Sequence, residues 1–210
     1  MIRSSLISAA FILITFSVTF GQSGGGWLSQ NSGTSLNLND VCFIDANTCW
    51  IVGEHGKILN TLDGGDHWSG QNSGTTEDLH AVFFIDSQKG WAVGTSGTVL
   101  HTRNGGADWT AQTINISSFI KSVYFVNDTT GWLCGDSFPS VYRTTDGGIN
   151  WSSADSDEYR NNSIFFLDEN TGWVTFKATL FQGPQDASFT ERSLFKRVEG
   201  RWLYVSEEVA

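Results

Sequence analysis

Apolar and polar residues alternate along much of this chain, and the alternation itself repeats. From Trp91 to Thr102 the sequence reads WAVGTSGTVLHT, two alternating runs broken by Gly. A period of two sends successive side chains to opposite faces of a strand. Just before it, Phe84 opens the segment FIDSQKGW, an aromatic followed by a polar turn and a Trp, which predicts two strands joined by a tight connection. The same segment recurs as FIDANTCW from Phe43, FVNDTTGW from Phe125 and FLDENTGW from Phe166. Trp50, Trp91, Trp132 and Trp173 are spaced 41, 41 and 41, and Trp27, Trp68, Trp109 and Trp151 are spaced 41, 41 and 42. One period holds about four short strands and no helix, which is the unit of a β-propeller blade. A β-sandwich gives no reason for exact repetition, and the coils of a β-solenoid are usually shorter.

Before each Trp of the second series the chain turns on a fixed set of residues: Thr61, Asp63, Gly65, Trp68; then Thr102, Asn104, Gly106, Trp109; then Thr144, Asp146, Gly148, Trp151. The chemistry of this spacing is structural. An Asp or Asn side chain accepts hydrogen bonds from N–H groups of its own turn, Gly supplies a positive φ, and the Trp packs on the blade. The pattern Ser/Thr-x-Asp-x-Gly-x-x-Trp resembles the Asp box of BNR-type propellers. The fuller wording GWAVGTSGTVLHTRNGGADW, from Gly90 to Trp109, resembles the photosystem II assembly and stability factor family over roughly residues 25–173. That resemblance implies a non-catalytic propeller that docks a protein partner, in the photosynthetic members through an arginine-rich patch. Between residues 22 and 173 the arginines are Arg103, Arg143 and Arg160.

Counted against the period, Trp27 marks a lone fourth strand, three complete blades run to about Asp155, and a fourth begins at Asn162. Its pattern breaks after Trp173. The expected fold is therefore all-β, an incomplete propeller of three full blades plus partial ones. Residues 174–210 form an atypical β tail with two readings. It is a degenerate fourth blade with Gly200 and Trp202 as its box, or a fragment of another domain. VTFKATLF and FTERSLFKRVEGRWLYV resemble the last strands of the NTF2-like domain found with SEC-C zinc motifs, through Glu191, Arg192, Ser193, Phe195, Gly200, Arg201, Trp202, Tyr204 and Val205. The Cys clusters of that assembly are not in the tail, so no zinc site is implied.

At the start, Arg3 precedes an uncharged apolar run from Leu6 to Phe20, with the small residue Gly21 after it. This is the form of a secretory signal peptide covering residues 1–21, and the run is shorter than the about 20 residues of a membrane span. Cleavage removes Arg3 and no acid, taking the formal net charge from −10 to −11. Such a surface repels nucleic acid and anionic lipid. Residues 22–173 hold 6 basic and 17 acidic side chains while residues 174–210 hold 5 of each, a shift that marks the boundary between them.

Three cysteines in an exported chain allow one disulfide. Cys42 and Cys49, near the two ends of one predicted hairpin, are the candidate pair; Cys134 reads as a small buried hydrophobe. His55, His67, His80 and His101 have no metal-ligand spacing, and no metal or cofactor is expected. The acids of different boxes, such as Asp63 and Asp146, lie in different blades and give no acid–base pair.

Loops on a rigid scaffold are where binding residues collect. The candidates are Phe119, Phe138 and Tyr159. The expected role is a secreted binding module, meeting another protein or an envelope component outside the cell or in the periplasm. Two alternatives stay open: a structural cell-surface repeat without a discrete ligand, and a sialidase-like glycoside hydrolase. Export should give a mature N-terminus at Gln22 or within two residues of it, readable by N-terminal sequencing. Recovery of the apolar segment in membranes would contradict secretion.

Overall fold

The computed structural model describes residues 29–114, 119–136 and 140–154, and beyond them the strands between residues 161 and 209, with side chains described at 163–166. Four four-stranded antiparallel sheets follow one another along the chain. The first holds β1 (Leu38–Phe43), β2 (Cys49–Gly53), β3 (Ile58–Thr61) and β4 (Ser69–Gln71). The second holds β5 (Leu79–Phe84), β6 (Gly90–Gly94), β7 (Val99–Thr102) and β8 (Thr110–Ala111). The third holds β9 (Ile120–Phe125), β10 (Gly131–Gly135), β11 (Val141–Thr144) and β12 (Ser152–Ser153). In each the strands lie in chain order, so every connection is a hairpin. No α-helix occurs among the described residues.

The fourth sheet is built differently. Its first two strands, β13 (Asn161–Asp168) and β14 (Thr171–Ala178), are followed by a small hairpin of β15 (Phe181–Gln182) and β16 (Gln185–Asp186). Then β17 (Phe189–Val198) and β18 (Arg201–Val209) complete it, in the order β13-β14-β17-β18. The third and fourth strands of the first three sheets have four and then two or three residues, whereas β17 and β18 have ten and nine. β14 runs straight through residue 173, where the repeat pattern breaks.

The core lies between sheets. The pleat divides each strand, so that Trp50, Val52 and Ile58 line the trailing face of the first sheet and meet Leu79, Val82, Phe84, Ala92 and Leu100 on the leading face of the second. Trp91, Val93 and Val99 meet Ile120, Val123, Phe125 and Leu133 in the same way. Trp132, Cys134 and Val141 meet Ile164 and Phe166 of β13. At each joint the first-series indole stacks on the Phe of the next sheet: Trp50 on Phe84 at 3.6 Å, Trp91 on Phe125 at 3.5 Å, Trp132 on Phe166 at 3.6 Å between ring centroids. Burying one indole removes about 200 Å² from water, on the order of 5 kcal/mol.

The register corrects one expectation. Cys42 pairs with Trp50 and Cys49 with Phe43, so the two cysteines project to opposite faces of the first sheet. No Cys42–Cys49 disulfide forms; both are free thiols, as is Cys134. Burial pushes Cys42 up to about 11 and Cys49 up to about 12, which leaves both as unreactive thiols.

Along the inner strands, side chains of one sheet satisfy N–H groups of the next. Asp40 Oδ2 accepts from the Val82 N–H at 2.9 Å, Cys42 Sγ from that of Phe84 at 3.3 Å, and Ser122 Oγ from that of Ile164 at 3.2 Å. Burial raises the Asp40 carboxyl to about 6 against the pull of its backbone hydrogen bonds. A carboxyl raised in the folded state favours folding when protonated, and that contribution is lost as pH climbs from about 4 through 6. Asp40→Asn keeps an acceptor for Val82 and removes the charge. It should stabilise the chain at pH 7 by on the order of 2 kcal/mol and give no gain at pH 4, as measured by denaturant unfolding at the two pH values.

Candidate functional site

The loops fall into two groups. The connections from the first to the second strand of each sheet, together with the Asp boxes, sit at one end, joined by the Gly64 N–H to Asn47 carbonyl bond at 2.9 Å and its counterparts from Gly105 to Gln88 and from Gly147 to Thr129. The turns after β2, β6 and β10 meet the connections between sheets at the other end. There the Glu54 N–H donates to the Asn37 carbonyl, Thr95 to Asp78 and Asp136 to Phe119, each at 2.9 to 3.0 Å.

The three boxes share one geometry. Thr61 Oγ1 accepts the Gly65 N–H at 2.9 Å, while Asp63 Oδ1 accepts from the Thr61 hydroxyl at 2.8 Å and the His67 N–H at 2.9 Å. Thr102, Asn104 and Gly106 repeat this with the Asp108 N–H, and Thr144, Asp146 and Gly148 with the Asn150 N–H. Gly65, Gly106 and Gly148 have φ of 96, 89 and 90°, open to Gly without strain. A Cβ there would also collide with the side chains of Gln30, Gln71 and Gln112. The backbone N–H of His67 leads the causes that hold Asp63 down to about 2, and that of Asn150 lowers Asp146. Each acid is thereby committed to its own turn, and none is poised to give or take a proton at neutral pH.

Those glutamines are the residues that the sequence reading passed over. Gln71 Nε2 donates to the Gly105 carbonyl at 2.8 Å, Gln30 Nε2 to Gly64 at 3.0 Å and Gln112 Nε2 to Gly147 at 2.9 Å, each reaching from one repeat to the box of the next sheet. The indoles converge on the same atoms: Trp50 Nε1 donates to the Gly105 carbonyl at 3.1 Å and Trp91 Nε1 to Gly147 at 3.2 Å. The signal was present as WLSQ, WSGQ and WTAQ, a Gln three residues after Trp27, Trp68 and Trp109. After Trp151 the chain reads WSSA instead. The box tryptophans Trp68, Trp109 and Trp151 are half-buried, and Trp109 also donates to Gln71 Oε1 at 3.2 Å.

At the opposite end the repeat departs from its own rule at Phe119. The equivalent residues are polar and tie loops together: Asn37 Nδ2 donates to Glu54 Oε1 at 2.6 Å, and Asp78 Oδ1 accepts the His55 N–H at 2.8 Å. Phe119 ties nothing with its side chain, is 51% exposed, and meets the His80 ring at 5.9 Å. Beside it Lys121 pairs with Asp136 at 2.6 Å. Phe138 and Tyr159 lie outside the described residues. Arg103 is exposed, Arg143 sits 5.5 Å over the Trp132 ring, and Arg160 is outside the described residues, so no arginine patch is formed by the described side chains. His67 Nδ1 contacts Asp63 Oδ2 at 2.7 Å, and His101 stacks on Trp91 at 4.8 Å, where burial pushes it down to about 4. Among the described residues no group of three metal-ligating side chains forms.

Residues 22–117 match the family model described as photosynthesis system II assembly factor YCF48. The repeats are YCF48-like. Residues 150–207 match the YchJ middle NTF2-like domain, which agrees with the resemblance of the tail and extends it upstream of residue 174. No curated protein matches the sequence. Among solved structures, YCF48 bound to D1 peptide aligns at 16% identity and a TM-score of 0.58, over 84% of this chain and 68% of that one. YCF48 from Cyanidioschyzon merolae aligns at 20% and 0.58, over 81% of this chain and 56% of that one. The GH74 enzyme of Niastella koreensis aligns at 16% and 0.64, over 80% of this chain and 30% of that one. Likeness at these identities shows a shared propeller fold, of which this chain spans a part.

Asp146→Ala removes the acceptor for the Asn150 N–H and the partner of the Thr144 hydroxyl. It should cost about 1–2 kcal/mol in unfolding free energy. Any ligand binding by the folded protein should be unchanged; loss of binding at an unaltered melting temperature would make the box a functional site.

Proposed function

We propose that this chain is a secreted, non-catalytic propeller module that binds another protein or an envelope component, with an assembly role at the cell envelope. The observation that carries this reading is the match of residues 22–117 to the YCF48 assembly factor model. A YCF48 structure holding a peptide supports a polypeptide as the ligand. Phe119 supports the loop end as the binding surface, because an exposed aromatic replaces a polar loop tie there. The acidic chain, at a formal net charge of −10, disfavours nucleic acid.

The GH74 neighbours make glycoside hydrolysis the competing idea. That chemistry needs a carboxyl free to act as acid and another as base or nucleophile. Asp63 and Asp146 are instead held as carboxylates by the N–H groups of their turns, and Arg143 is laid over Trp132.

An envelope extract passed over the immobilised chain should yield a retained protein that Phe119→Ser releases, with no change in melting temperature. Equal retention by Phe119→Ser would move the site elsewhere. No retention beyond that of an unrelated propeller would favour a structural repeat without a discrete ligand.

A further inference from the structure

The three boxes differ in where the donor and the acceptor stand. In the first, Asp63 Oδ2 faces His67 Nδ1 at 2.7 Å, and in the third Asp146 Oδ2 accepts from Asn150 Nδ2 at 2.8 Å. The second reverses the pair: Asn104 Nδ2 donates to Asp108 Oδ2 at 2.9 Å. Each turn thus sets one carboxylate against one nitrogen partner. Asn104 still does what the box acid does elsewhere, since its Oδ1 accepts from the Thr102 hydroxyl at 3.0 Å and the Asp108 N–H at 2.9 Å.

The reversal leaves the second turn open to a reaction that the other two lack. Asn104 precedes Gly105, and no other asparagine of this sequence is followed by glycine. The amide carbon of an asparagine can close a five-membered ring with the backbone nitrogen of the next residue, and a glycine there has no side chain to hinder the approach. Asn104 is exposed, so water reaches the turn. The two donors on Oδ1 polarise the amide and are placed to hold the negative charge that attack would put on that oxygen. One contact opposes the reaction. The Gly105 N–H donates to the Gln88 carbonyl at 2.9 Å, which ties up the attacking nitrogen.

We propose that Asn104 is a site of spontaneous deamidation, and that its conversion to a carboxyl unfastens the second box. The Gly105 nitrogen bonds to Asn104 Cγ and gives up its proton, the Cγ–Nδ2 bond breaks, and Nδ2 leaves with that proton as ammonia. Water then opens the cyclic imide at either of its carbonyls, giving aspartate or, with the backbone rerouted through the side chain, isoaspartate. Aspartate puts a second carboxylate where Nδ2 met Asp108, and like charges in contact disfavour the turn. Isoaspartate lengthens the backbone between Thr102 and Gly106, which the Thr102 hydroxyl oxygen holds together by accepting the Gly106 N–H at 2.9 Å.

The purified chain is aged in mildly alkaline buffer beside a synthetic peptide spanning residues 102–109, and both are digested and read by mass spectrometry. Asn104 should convert before every other asparagine of the chain, about fivefold more slowly than in the peptide, because the Gly105 N–H must first leave Gln88. Conversion of another asparagine first, or persistence of Asn104 long after the peptide has fully converted, would overturn the site. In denaturant unfolding at pH 7, Asn104→Asp should lower the folding equilibrium constant about fivefold, although it supplies the acid that the other two boxes have. Adding Asp108→Asn gives the second box the acid and amide of the third and should restore stability to within about twofold. Equal stability of Asn104→Asp and the unaltered chain, or no recovery in the double variant, would overturn the effect on the box.

Discussion

Two donors from one sheet meet on a single carbonyl of the next, and the arrangement of this molecule depends on that meeting. The first Gly of each D/N-G-G turn offers an oxygen with two lone pairs. At Gly105 one is taken by the Trp50 indole and the other by the Gln71 amide. At Gly147 the donors are Trp91 and Gln112. The indole is already fixed by its stack on the following Phe, so the hydrogen bond adds direction to a contact whose energy comes from burial. The Asp box makes this possible. By spending Thr and Asp side chains on its own N–H groups, the turn frees its Gly carbonyl to face the neighbour.

The same requirement shows where the series changes character. A further joint of this kind would need a Gln after Trp151 and a Gly-Gly turn about 42 residues beyond Gly147, but the chain has Ala154 and then Ser188, Phe189 and Thr190. At the last joint Trp132 stacks on Phe166 and Ile164 is buried. The last sheet then departs from the blade in its outer half, with strands of ten and nine residues where the first three sheets have four and then two or three. That is the region matching an NTF2-like domain. The residues that match the NTF2-like domain thus include Ile164 and Phe166, the apolar face that packs on the third sheet.

Function on such a scaffold is a matter of departures from the repeat. A residue that keeps the pattern is explained by the joint it makes; one that breaks it and stays exposed has been released from that duty. Phe119 breaks a polar tie at the loop end. Phe43 keeps the pattern but is 61% exposed, with Cys49 in place of the Gly against which Phe84 and Phe125 lie. These two aromatics lie at opposite ends of the inner strands, one just before β9 and one closing β1.

Much of the fold could be read from spacing alone. The 41-residue period, the two Trp series and the three boxes determined the strands, the hairpins and the turn chemistry, because each is a short-range matter of pleat, Gly conformation and side chains capping their own backbone. The W-x-x-Q motif was equally visible, but its meaning was not, since Gln71 acts on Gly105, a residue 34 positions away in another sheet. The facing of Cys42 against Cys49 needed the register, as one step along a strand reverses the face. The raised carboxyl of Asp40 and the exposure of Phe119 and Phe43 needed the neighbouring sheets themselves. The sequence determined what each blade is. Only the tertiary structure decided which face of it is covered, because burial depends on what a separate sheet brings to that face.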